Sequence, residues 1–234
     1  MNNTFTWVFL AALLAATGTR LWLAARQSRH VLAHRDAVPD AFAGTIPLAA
    51  HQKAADYTVV KTRLSIADVC IAIALTLALT FGGVLQWLSD AWARIAPPFG
   101  IAHGVLLIVS VVVLLSLLEL PLTLYRTFVV EERFGFNRIT PRLFAIDLAK
   151  QTLLSAALGI PLLTLVLWLM ARMGELWWIW VWLAWAVFNL LVLLIYPTFI
   201  APLFNKFSPL ADRALASRIE SLLARCGFRS SGLY

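Results

Sequence analysis

The sequence is poor in charge and in cysteine, and each shortage excludes a class of protein. Only 13% of its 234 residues are charged, 61% are hydrophobic, and the mean hydropathy is +0.83. A water-soluble domain could not cover so much apolar side chain, so we predict an integral membrane protein. Two cysteines, Cys70 and Cys226, are too few for a disulfide framework, and no disulfide is expected.

Acidic residues are also scarce. The sequence has 12 Asp and Glu and 19 Lys and Arg, which gives a net charge of +7. Such a balance can indicate a nucleic-acid partner, but here the basic residues alternate with the apolar runs, as membrane topology requires. The sequence therefore predicts a lipid bilayer as the partner and no nucleic acid.

Five apolar runs have the length of about 20 residues that a hydrocarbon core demands. They cover residues 5–25, 69–88, 101–125, 151–171 and 177–199. The expected fold is all-α, with a five-span membrane domain over residues 1–207 and a cytoplasmic segment over 208–234. We expect Gly159 to Pro161 to interrupt the fourth run, and Pro197, Pro202 and Pro209 to prevent one continuous helix after the fifth.

The basic residues also predict the orientation. Sixteen Lys and Arg follow the first, third and fifth runs, whereas only Arg94 and Arg172 lie on the other side. By the positive-inside rule, the N-terminus is outside and the C-terminal tail is cytoplasmic.

The tail contains one amphipathic pattern. Ser208 and Pro209 are expected to start a helix and Gly227 to cap its end. Its apolar stripe consists of Leu215, Ile219, Leu222, Leu223 and Cys226. Because only seven residues follow Gly227, the stripe must cover the cytoplasmic loops or a further soluble domain.

The most polar loop of the chain is EERFGFN, residues 131–137, and it is the leading candidate site. As an ordinary membrane-surface turn it would place its aromatics at the headgroups and its charges in water. Its density of carboxylates and aromatics exceeds what a connection needs, which also favours a functional role. Thr140 and Pro141 are expected to start the next helix, in which Asp147 and Lys150 can pair.

Two polar residues lie inside apolar runs. Glu119 is a candidate functional carboxylate, although pairing with Arg126 or a position at the interface would also explain it. Asn189 is expected to form an interhelical hydrogen bond. Together with the Gly-Pro break they leave a small transporter open as a weaker alternative.

His30 and His34 have the spacing of the zinc-binding HExxH motif, but Val31 replaces its glutamate. Two histidines without a third ligand make a poor zinc site, so we expect a solvated helix face.

Three motifs of this sequence resemble motifs of one protein family and occur in the same order along the chain. They are HQKAADYTVVKTRL before the second run, TFVVEERFGFNRIT after the third and FIAPLFNKFSPL after the fifth. They are similar to the N-terminal membrane region of type I CAAX prenyl proteases, which are integral-membrane zinc metalloendopeptidases. The resemblance extends over roughly residues 30 to 234.

The resemblance implies seven helices around an intramembrane chamber, five of them supplied here. It also implies a zinc ion held by HExxH and a downstream glutamate. The implied activity is release of the last three residues of prenylated CAAX proteins, or clearance of damaged membrane proteins. A bacterial inner membrane is the expected location.

This sequence contains no HExxH, so the chain alone is expected to bind no catalytic zinc and to hydrolyse nothing. The expected partner is a C-terminal catalytic part, and EERFGFN is expected to pack against it. The interface residues would be Glu131, Glu132, Arg133, Phe134, Gly135, Phe136 and Asn137. A non-catalytic scaffold or peptide-binding paralogue remains the alternative.

Overall fold

The apolar runs fold as long helices. A computed structural model describes residues 4–204, 208, 210, 212–228 and 232, and within them it contains helices and turns but no strands. Over these described residues, five helices are long and apolar enough to cross a membrane, which confirms the all-α class and the predicted number of spans. The chain divides into two compact units, Met1–Pro141 and Arg142–Tyr234.

The first unit begins with a helical hairpin. Helix α1 covers Thr4–Ala33 and helix α2 covers Leu48–Thr80, and the two pack along each other. Both exceed the predicted spans because polar helical turns continue the apolar runs. Pro47 occupies the N-cap position at the start of α2.

The second predicted span is wrong at its far end. It was expected to reach residue 88, but α2 ends at Thr80 because a glycine pair redirects the chain. Gly83 has a φ of +73°, and a Cβ on Gly82 would lie 2.7 Å from the carbonyl oxygen of Ala78. Helix α3, Val84–Ala93, follows this turn.

Helix α4 covers Ile101–Tyr125 and is fastened to α3 by polar contacts. The buried His103 has its Nε2 3.0 Å from the carbonyl oxygen of Ser89. Trp92 Nε1 donates to Ser110 Oγ at 2.7 Å. These bonds satisfy polar groups that would otherwise be costly in an apolar setting.

The second unit begins with helix α5, Pro141–Arg172, which starts at the predicted proline. It runs through Gly159 and Pro161 without a break, so the expected interruption is wrong. Proline removes one hydrogen bond, but breaking the helix inside lipid would expose more backbone groups to a medium that cannot bond them. Lys150 Nζ lies 3.9 Å from Asp147 Oδ1, which confirms their pairing, and donates to the carbonyl oxygen of Leu203 at 2.8 Å.

The prediction that the helix breaks after the fifth span is also wrong at Pro197 and Pro202. Helix α6, Trp177–Ile195, continues through a π-helical turn, Tyr196–Ile200, into helix α7, Ala201–Phe204. The wider turn accommodates the missing N–H of Pro197, and Pro202 lies in the short α7. Pro209 lies outside the described residues.

The amphipathic helix α8 covers Arg213–Arg225. It does not start at Ser208, which is not helical, but after Asp212, whose carboxylate accepts from the backbone N–H groups of Ala214 and Leu215. Gly227 has a φ of +75° and caps the helix, as predicted. The N–H of Gly227 bonds to the oxygen of Ala224 and that of Phe228 to the oxygen of Leu223, which is the Schellman arrangement.

Candidate functional site

The EERFGFN segment begins where the third span ends in a π-helical turn, Arg126–Glu131. The chain then reverses at Gly135, whose φ of +72° favours glycine. This reversal lets the N–H groups of Phe136 and Asn137 donate to the carbonyl oxygen of Glu131, at 2.8 and 3.2 Å. The segment is therefore an ordered cap on the third span.

One aromatic residue of the segment belongs to the core. Phe134 is only 6% exposed and packs with Leu64 and Val130 in a buried cluster. Its ring meets that of Tyr57 edge to face, with 5.2 Å between the centroids. Phe134 thus joins the segment to α2.

Tyr57 fastens the segment at two further points. Its hydroxyl donates to Glu131 Oε1 at 2.7 Å, and its ring lies 5.0 Å from that of Phe136. The sequence reasoning missed this residue, because it lies 74 positions before Glu131 and no spacing rule pairs the two. The one available signal was its place in HQKAADYTVVKTRL, among the motifs of the resemblance.

The remaining side chains form an outer edge, which we define as the polar Glu132, Arg133 and Asn137 together with the aromatic Phe136. Asn137 Nδ2 donates to Glu132 Oε2 at 3.0 Å, and Asn137 Oδ1 accepts from the N–H of Ile139 at 2.8 Å. The Phe136 ring is 54% exposed, and the side chains of Glu132 and Arg133 are also exposed. The outer edge therefore presents an ordered carboxylate, a cation and an aromatic ring.

Two ion pairs tie α2 to the parts of the chain that lie near the segment. Arg126 binds Asp68 with 2.5 Å between Nη2 and Oδ2. Arg35 binds Asp56 through two hydrogen bonds of 2.7 and 2.9 Å, and these bonds, followed by the charge of Asp56, raise the pKa of Arg35 above its ordinary value. The α1–α2 connection is therefore tied to α2 by a guanidinium that stays charged.

Among the described residues, Glu119 does not form the pair with Arg126 that was left open, and Asn189 does not form the interhelical bond expected of it. Arg126 pairs with Asp68 on α2 and not with Glu119, which is exposed on the surface of α4. Asn189 Nδ2 donates to the carbonyl oxygen of Trp185 at 2.7 Å, so its bond lies within one helix and not between two. Asn189 therefore gives no support to the transporter alternative.

His30 and His34 lie next to each other where α1 ends. The rings of His30 and His34 lie 4.3 Å apart, and His34 Nδ1 lies 2.9 Å from the carbonyl oxygen of His30. In the part of the chain that the structure describes, no three His, Cys, Asp or Glu side chains are placed to hold one ion. These residues do not fit a catalytic zinc.

Comparison with known proteins decides the family. A family model described as the CAAX prenyl protease N-terminal region, with five membrane helices, matches residues 27–206. The chain belongs to this family. It constitutes the N-terminal membrane domain of a CAAX prenyl protease family member, and the resemblance of the three motifs is confirmed.

The CAAX protease relatives are longer. The chain is 31% identical over 203 residues to a CAAX prenyl protease 1 homolog of Arabidopsis thaliana, covering 84% of the chain and 48% of the relative. It is 44% identical over 115 residues to CAAX prenyl protease 1 of Saccharomyces cerevisiae, covering 48% of the chain and 25% of the relative. The chain thus spans about half the length of the curated relatives it matches, or less.

A solved structure shows the same fold. The crystal structure of S. mikatae Ste24p matches with a TM-score of 0.87 and 28% sequence identity. The match covers 95% of this chain and 53% of that one. The five-span architecture of this family member is therefore that of the corresponding part of Ste24p.

Proposed function

We propose that this chain forms the N-terminal membrane half of a CAAX-type zinc metalloendopeptidase. The observation that carries the proposal is the fold match, in which nearly the whole chain corresponds to about half of Ste24p. The substrates would be prenylated CAAX proteins or other membrane proteins, and the five spans would form part of the wall of an intramembrane chamber.

In this proposal the zinc ligands lie in a C-terminal catalytic part that the relatives' additional length would contain. Because the described residues fit no zinc site, no catalytic step is assigned to them. Their role is to build the chamber wall and to position the catalytic part.

We further propose that the outer edge of EERFGFN is the surface on which the catalytic part docks. Glu131 and Phe134 are used internally, in the bond to Tyr57 and in the buried cluster. Asn137 holds Glu132 in a fixed geometry while both stay at the surface. An ordered polar surface of this kind suits a partner that needs one defined orientation.

The test uses a full-length relative that carries the same residues at the equivalent positions. Replacing the equivalents of Glu132 and Asn137 by alanine is expected to lower cleavage of a farnesylated CAAX peptide at least tenfold. The matched control replaces the equivalents of Asp36 and Gln52, another hydrogen-bonded surface pair, in which Gln52 Nε2 donates to Asp36 Oδ1 at 3.0 Å. Unchanged cleavage in the first variant, or equal loss in both, would refute a docking role.

The orientation is proposed with the N-terminus outside and the C-terminal tail in the cytoplasm, supported by the distribution of Lys and Arg. In a Cys70→Ser background, a membrane-impermeant maleimide should label Cys226 only after the cytoplasmic side is opened. A Thr4→Cys substitution, introduced with Cys226→Ser, should label in intact cells. The reverse labelling pattern would show that the orientation is opposite to the one proposed. The bacterial inner membrane stays a prediction, since the relatives compared above are eukaryotic.

A further inference from the structure

A cavity of about 860 Å³ opens between α1 and α2 where the apolar run of α1 ends. Its charged lining residues are Arg26 and Lys61, and its other polar lining includes Gln27, His30 and Ser65. No carboxylate lines this cavity among the residues that the structure describes. The site is therefore positively charged and lies at the expected level of the lipid headgroups.

The cavity continues toward the apolar part of the hairpin. A second cavity of about 370 Å³ shares Leu23, Ala24 and Ser65 with the first. Its further lining consists of Arg20 and Leu21 on α1 and of Ile66 and Val69, which lie near the start of the apolar part of α2. One continuous groove thus joins a cationic chamber to an apolar surface.

The two cations of the chamber are available to a ligand. The Arg26 guanidinium lies 5.5 Å from the centroid of the Trp22 ring, and Lys61 Nζ lies 5.6 Å from that of Tyr57. Over the described residues neither cation donates a hydrogen bond or forms an ion pair, unlike Arg35 of the same hairpin, which binds Asp56.

The threonine hydroxyls that line the chamber already donate hydrogen bonds to the backbone of α2. Thr58 Oγ1 donates to the carbonyl oxygen of Ala54 and Thr62 Oγ1 to that of Thr58, both at 2.8 Å. An anion in this chamber would therefore meet the charges of Arg26 and Lys61, with Gln27, His30 and Ser65 as further polar groups.

We propose that this groove binds one anionic glycerophospholipid of the cytoplasmic leaflet. The headgroup phosphate lies between Arg26 and Lys61, and an acyl chain follows Ile66 and Val69 into the membrane. Basic pockets between spanning helices at the cytoplasmic surface suit anionic headgroups. A free anion would use only the chamber, and an uncharged headgroup would gain little from its cations. The proposal does not depend on the protease function, but it rests on the proposed orientation, which places this end of the hairpin at the cytoplasmic surface.

The experiment is native mass spectrometry of the chain in mild detergent, titrated with phosphatidylglycerol or with phosphatidylcholine of the same acyl chains. We expect the chain to retain phosphatidylglycerol preferentially. The double variant Arg26→Gln/Lys61→Gln should bind it about 30-fold more weakly, the size expected for two basic groups near an anionic headgroup.

Two further variants keep the proposal falsifiable. The matched control Arg29→Gln/Arg63→Gln removes the same charge from exposed residues that do not line the cavity, and it should bind as the parent does. The charge-preserving variant Arg26→Lys/Lys61→Arg should retain binding within about threefold, which also separates lost charge from lost folding.

Four results would show that the groove is not a specific site for an anionic lipid. These are equal binding of phosphatidylcholine, equal loss of binding in the control variant, equal loss in the charge-preserving variant, and displacement of the lipid by millimolar inorganic phosphate. Displacement by an equimolar farnesylated CAAX peptide would likewise overturn the proposal and assign the groove to a peptide substrate.

Discussion

Replacing Phe134 by alanine tests how the EERFGFN segment is fastened to α2. The ring is 6% exposed and lies in a buried cluster, so its removal should cost about 3–5 kcal/mol of unfolding free energy. Its edge-to-face contact with Tyr57 accounts for about 0.5–1.5 kcal/mol of that loss.

Phe136 supplies the matched control, since the same substitution two residues later removes the same atoms. Its ring is 54% exposed, so only about half of its surface is removed from water and the loss should be about 1–2 kcal/mol. The assay measures the free energy of reversible unfolding of each variant in mild detergent micelles. Losses that agree within about 0.5 kcal/mol, or a larger loss for Phe136, would refute the assignment of Phe134 to the core.

Hydrogen exchange adds a local readout to the same pair of variants. The N–H groups of Phe136 and Asn137 bond to the carbonyl oxygen of Glu131 in the reversal at Gly135. They should exchange faster in Phe134→Ala and remain protected in Phe136→Ala. Protection of the Asn137 amide in both variants would show that the turn holds without the buried ring.

Three further substitutions, one of them with a matched control, follow from local geometry. Tyr57→Phe removes the donor to the half-buried Glu131 carboxylate and should lower the unfolding free energy by about 1–3 kcal/mol, and no change would contradict the bond. Gly135→Ala should lose about 1–2 kcal/mol because its φ is +72°, whereas Gly159→Ala, in a helix with open space around it, should lose nothing. Asp212→Ala should destabilise α8 by about 1 kcal/mol, seen as faster exchange in its first turn, and unaltered exchange would argue against the cap.

The features that sequence predicted correctly depend on local chemistry. The number of spans follows from apolar length, and the start of α5 at Pro141 and the cap at Gly227 follow from the backbone preferences of single residues. The polar turn at EERFGFN was located by composition alone. Each of these signals lies within a few residues of the structure that it produces.

Several of the errors have one of two physical causes. The effects of Pro161 and Pro197 were judged by rules for helices in water, whereas lipid makes a broken helix more costly than one missing hydrogen bond. The pairing of Glu119 with Arg126, one of the explanations left open for this carboxylate, does not form because the Arg126 guanidinium pairs with Asp68, 58 positions away on α2. Contacts of that kind depend on tertiary packing, which a one-dimensional pattern does not contain.

The most direct test of the central claim is the coding sequence that follows the codon for Tyr234. The chain covers 48% of its Arabidopsis relative, so a CAAX-type protease should continue in frame for about as many residues again. The account predicts an HExxH motif and a downstream glutamate in that continuation. A stop codon directly after Tyr234 would contradict the proposal that this membrane domain is the first half of a protease chain.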